Sequence, residues 1–126
     1  MNKVETFNNN LLDIKVTEGY ENIFIHWSGK SIDRKPNIFI TPILIKLLKK
    51  CIDKEKKMIL DFSNIEYMNS STITPIIKIL ERAKRSEISV KVEYLASLKW
   101  QDLIFSALEI FQTKDNRIQI HGNQEK

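Results

Sequence analysis

The sequence predicts an α/β fold: a mixed, mostly parallel β-sheet with an N-terminal β-hairpin and about three helices. Three observations carry this reading. L-L-D-I-K-V and I-F-I-H-W-S alternate apolar with polar residues on either side of T-E-G-Y-E-N, the pattern of two half-buried strands around a turn. Beyond them, helical and strand periodicities alternate, and strands joined through helices require right-handed crossovers and parallel pairing. With 126 residues, 42% apolar and 29% charged, the chain can bury a core in one domain without staples. A single domain over 1–126 is therefore expected, with 1–10 and 122–126 as flexible polar tails.

Each element follows in order. The hairpin places Leu12, Ile14 and Val16 opposite Ile23, Ile25 and Trp27, with its turn near Gly19 to Asn22. S-G-K-S-I-D-R-K-P-N is a polar loop. Thr41-Pro42 reads as an N-cap followed by proline at the first helical position, and Leu44, Leu47, Leu48 and Cys51 continue a helix over 42–55. M-I-L-D-F is a buried strand. A second helix carries Ile73, Ile76, Ile77, Leu80 and Ala83 on its inner side. V-K-V-E-Y-L alternates again, and Ser97 caps a third helix. There Trp100, Leu103, Ile104, Ala107, Leu108 and Phe111 form the cleanest amphipathic stripe in the chain. R-I-Q-I-H closes the sheet as an edge strand. The paired I-T-P-I-L and I-T-P-I-I are helix-start chemistry used twice, since nothing else in the two segments matches.

Composition narrows function. No apolar run reaches the ~18 to 20 residues of a membrane span, and the N-terminus lacks an apolar export core, so a cytoplasmic protein away from the membrane is expected. The lone Cys51 excludes an internal disulfide and falls in the first helix's apolar stripe. The net charge of +4 brings nucleic acid into consideration. However, the densest basic run, Lys49 to Lys57, is interrupted by Asp53 and Glu55 and lies where cations complement a helix C-terminus. Nucleic acid is not the expected partner.

Catalytic patterns are poor. His26 and His121 without a cysteine cluster make no zinc site. Three scattered glycines build no phosphate loop, and no G-x-S-x-G elbow is present. Asp61, ending M-I-L-D-F, is the most plausible functional acid, because ligands in open α/β sheets bind beyond the strand carboxyl ends. Turn formation explains it equally well. Neither an enzyme nor a cofactor is expected.

The stretch N-S-S-T-I-T-P-I-I, Asn69 to Ile77, crowds hydroxyls at a helix start. Backbone N–H groups there are unsatisfied and carry partial positive charge. A hydroxyl can cap them, or be phosphorylated and change the charge shown to a partner. D-F-S-N-I-E-Y-M-N-S-S-T-I-T-P-I-I, Asp61 to Ile77, resembles the signature of STAS domains (sulfate transporter and anti-sigma factor antagonist), roughly D-L-S-x-V-x-F-[ILM]-D-S-S-G-L-x-x-[LI]. Gly29, Ile32 and Asp33 are similar to that family's G-x-[LI]-D loop, with one extra residue. The resemblance implies a non-catalytic regulatory module of a bacterial partner-switching pathway. Its partners would be a serine-kinase anti-sigma factor and a PP2C-type phosphatase. It also implies phosphorylation at Ser71 and a partner surface of Asp33, Asp61, Asn69, Ser70, Ser71, Thr72 and Thr74. In this reading Ser70 and Thr74 cap the helix and Asn69 orients the switch.

Three features depart from the family pattern. Asn69 replaces an acid, Thr72 replaces a glycine, and Pro75 enters the first helical turn. The chain given also lacks the closing helix that many members carry. These departures keep a second reading open, a constitutive STAS-like scaffold that is never phosphorylated. In the plainest reading the hydroxyls do no more than cap.

Overall fold

The computed structural model describes residues 3–124. Strands β1 (Lys3–Asn9), β2 (Leu12–Glu18), β3 (Asn22–Ser31), β4 (Lys57–Met68), β5 (Val90–Leu95) and β6 (Ile118–Asn123) form one sheet in chain order. β1, β2 and β3 pair antiparallel, while β3 through β6 run parallel. Helices α1 (Asn37–Lys54), α2 (Ile73–Arg85) and α3 (Lys99–Ser106) make the crossovers. Alternation along the strands gives the layering. Ile14, Ile25, Leu60, Val92 and Ile120 are buried under the helices. One row of Lys15, His26, Asp61, Glu93 and His121 runs across the other face, which the helices leave open.

The expected hairpin is present as β2–β3. Residues 3–9, assigned to a flexible tail, instead form the edge strand β1, because Phe7 pairs with Ile14 and packs against the core. At the other end β6 takes in residues 122–123 of the expected tail. The outermost residues of both tails, 1–2 and 125–126, lie outside the described residues.

α1 begins at Asn37, not at Pro42. Ile40 is fully buried and extends the stripe of Ile43, Leu44, Leu47, Leu48 and Cys51 one turn earlier. Burial of that turn overrides the Thr41-Pro42 start signal. The carbonyl deprived of its partner by Pro42 belongs to exposed Ile38, where water can reach it. Cys51 is buried, and burial followed by the nearby Glu18 charge pushes its thiol up to about 12, so it packs rather than reacts.

α3 departs most from its pattern. Its regular turns end at Ser106, and a 3-10 segment, Ala107–Phe111, follows. The buried positions are Gln101, Phe105 and Leu108, whereas Leu103 and Ile110 are each 78% exposed. Gln101 is fully buried because β4 needs it. Pairing of β4 with β5 stops at Asp61–Glu93, while β4 follows β3 to Met68 through two register shifts. In the gap, Gln101 Nε2 donates to the Phe62 and Ile65 carbonyls at 3.0 and 3.1 Å, and its Oε1 accepts the Leu95 N–H at 2.8 Å.

β2 ends on Glu18, a buried carboxylate that accepts from Lys54 and Lys56 at 2.8 Å and from Lys50 at 3.3 Å. Three lysines of the densest basic run are thus held internally. The Lys54 hydrogen bond, then that of Lys56, holds the Glu18 carboxyl at about 2 against an ordinary 4.5. A carboxyl depressed in the folded state stabilises fully above its unfolded value and loses that contribution as pH falls through the folded one. Because the lysines remain partly solvated, Glu18→Gln is expected to cost about 1–2 kcal/mol at neutral pH. Urea melts against pH should show the deficit present above 4.5 and gone near 2; a constant deficit would assign the loss to packing.

Candidate functional site: the turn between β4 and α2

β4 leaves the sheet at Met68, and a 3-10 turn, Ser70–Thr72, leads into α2. Asn69, extended in backbone, is its cap. Asn69 Oδ1 accepts from the Thr72 N–H at 3.1 Å and the Thr72 hydroxyl at 2.7 Å. Its Nδ2 donates to the Asp33 carbonyl at 2.7 Å, and its backbone N–H donates to the Ser31 carbonyl at 3.0 Å. Thr72 has one hydroxyl proton, committed to Asn69, so the Ser31 hydroxyl donates to Thr72 Oγ1 across 2.6 Å. Ser31 and Thr72 are both buried. Two departures from the signature are therefore each other's hydrogen-bond partners. Asparagine supplies the acceptor that a first-turn N–H needs, and threonine fills the interior where the family has glycine.

This geometry corrects several assignments. Ser70 and Thr74 do not cap; no cap hydrogen bond from either is present, and both side chains are exposed. Thr72 faces inward and cannot meet a partner. The Asp33 carboxylate accepts from Asn9 and Asn10, turning toward the β1–β2 connection, and only its backbone joins the turn. Asp61 lies mid-strand, because β4 continues seven residues past it, and it points to the open sheet face. There it accepts from the Ser63 N–H at 3.0 Å and hydroxyl at 2.7 Å, and lies 3.2 Å from His26 Nδ1. Ser63 bonds to the acid rather than to the histidine, so the trio lacks the nucleophile–base contact of a hydrolytic relay. Among the described residues no three His, Cys, Asp or Glu side chains are placed to hold a metal. No helix among them is long and apolar enough to cross a membrane.

Ser71 is exposed at the head of α2, on a turn pinned by buried neighbours, and among the described residues its hydroxyl makes no hydrogen bond. Beside the turn runs a groove of about 520 Å³ between α2 and the α3 segment. Ile73 and Ile77 form one wall, Leu103, Ile104, Ile110 and Phe111 the other, and Asn69 and Ser70 close one end. Five residues of the amphipathic stripe, Leu103, Ile104, Ala107, Leu108 and Phe111, thus line this groove. An outward-facing Leu103 and Ile110 could have been anticipated only by knowing that the helix tightens at Ala107.

No family model and no curated protein sequence matches the chain. Among solved structures it is similar to an uncharacterized protein of the DUF3478 family with a SpoIIAA-like fold, from Shewanella loihica PV-4. The identity is 12% and the TM-score 0.51, over 94% of this chain and 93% of the other. An anti-sigma factor antagonist from Mycobacterium paratuberculosis matches at 12% identity and a TM-score of 0.46, over 93% and 91%. The first likeness shows the fold: a SpoIIAA-like α/β fold, the STAS-like architecture that the signature implied.

Proposed function

We propose that this chain is a non-catalytic, protein-binding regulatory module of a bacterial partner-switching pathway. Its partner docks on the exposed Ser70, Ser71 and Thr74 and on the groove beside them, and phosphorylation of Ser71 is the switch. One observation carries the reading: an exposed hydroxyl with no hydrogen bond among the described residues stands on a turn pinned by buried neighbours, next to a groove lined with apolar side chains. A phosphate there adds about −1.5 to −2 charge at neutral pH. The helix N-terminus accommodates it, while a partner covering that end of α2 meets a new charge to desolvate. The resemblance supplies the partner classes, a serine-kinase anti-sigma factor that adds the phosphate and a PP2C-type phosphatase that removes it, all in the cytoplasm. Incubation with the serine kinase encoded nearest the gene, with ATP, is expected to add one phosphate to the wild type and none to Ser71→Ala by intact mass. An unmodified wild type, or equal labelling of the variant, rules out the switch.

The Asn69–Thr72 pair favours a second reading, a constitutive scaffold. It closes the turn with neutral groups and leaves nothing there for a charge change to release. Unchanged partner affinity in Ser71→Asp supports that alternative.

A further inference from the structure

On the side of α2 away from the apolar groove, α1 and α2 enclose a shallow seam of about 160 Å³. Leu44, Ile45, Pro75 and Ile79 floor it, Lys78 and Arg82 wall it, and no acidic residue lines it. Lys49 stands exposed one turn beyond Ile45 on the same side of α1. None of these three cations is ion-paired among the described residues, whereas Lys50 and Lys54, on the β2 side of α1, and Lys56 just beyond it are held by Glu18. On the α1 side of the seam the Thr41 hydroxyl is buried with no hydrogen-bond partner among the described residues.

We infer that this seam docks an acidic segment of a partner protein, one presenting two or more carboxylates around an apolar side chain. Charge complementarity selects the sign, because Lys49, Lys78 and Arg82, outside any ion pair among the described residues, steer and hold carboxylates. The floor selects protein over nucleic acid. A duplex presents a phosphate charge every ~1.7 Å along its axis and rewards an extended cationic row, while these cations form a patch one to two helical turns long around buried apolar side chains. The seam and the groove flank α2 on opposite sides, so the acidic contact is separate from the apolar one and does not depend on Ser71.

The test uses the full chain and three fluorescent probes. One is a short helical peptide with two glutamates one turn apart around a leucine, the second is the same peptide with lysines for glutamates, and the third is a DNA duplex. The acidic peptide is expected to bind, to weaken as salt rises, and to shift backbone amides over 41–49 and 75–82 in NMR spectra. Lys78→Glu with Arg82→Glu should weaken it about ten-fold and improve binding of the lysine peptide. Lys49→Glu, on the other helix, should act in the same direction, so loss of folding in the α2 pair leaves it decisive. No binding by the acidic peptide, binding indifferent to both reversals, shifts confined to the apolar groove, or tighter binding of the duplex each overturns the assignment.

Discussion

Gln101→Leu is expected to destabilise the protein by about 3 kcal/mol or more, although leucine is the more apolar residue and the site is fully buried. The side chain satisfies three backbone groups, the Phe62 and Ile65 carbonyls and the Leu95 N–H. Each buried group left without a partner costs about 1–3 kcal/mol, and the gain from a more apolar side chain does not offset three of them. Urea melts followed by tryptophan fluorescence measure the loss, with Gln101→Met as the volume control. A loss below about 1 kcal/mol in both would show that β4 and β5 close the gap themselves or admit water.

Gly29→Ala is the second large effect, again about 3 kcal/mol. Gly29 has φ +84°, a conformation that costs a residue with Cβ about 1–2 kcal/mol. The added Cβ would fall 2.0 Å from the Leu11 carbonyl oxygen, which also accepts the Lys30 N–H at 2.9 Å. Backbone must move, and moving it breaks the bond beside it. The start of β2 and end of β3 should loosen, with faster amide exchange at Leu12 and Lys30. A variant as stable as the wild type would show that the β1–β2 connection yields without cost. Gly29 matched the family's G-x-[LI]-D segment in the sequence, and here it has a mechanical reason to be glycine.

The sheet was legible where one face is buried and the other open, because alternation then reports the fold directly, as in β2, β3 and β5. β1 escaped notice because an edge strand with only Phe7 packed inward carries almost no period. The α1 start was misplaced because local signals at Thr41 and Pro42 compete with burial of Ile40, which only the packed structure reveals. In α3 the apolar stripe was legible as a stripe, but its place beside α2 was not. A polar Gln101 took the interior because β4 lacks a strand partner on its β5 side there, and no local pattern announces that. At the turn the resemblance located Ser71, and it cast Asn69 and Thr72 as defects. The N-cap preference of asparagine three residues before the turn's buried residue was the available signal for the bond between them. Ser31, distant in sequence, offered none.

The strand order of the sheet bears on how this chain is made. Every strand pairs with its neighbour in sequence, so no strand waits for a distant segment to be inserted beside it. Parallel sheets generally fold slowly because their pairings are non-local. Here each βα unit can dock on the strand before it as synthesis proceeds from the N-terminus. The growing edge is always the newest strand, and the β1 edge is set from the start. The late step is then local: β5, α3 and Gln101 arrive together, and only their arrival seals the carbonyls that β4 has carried open.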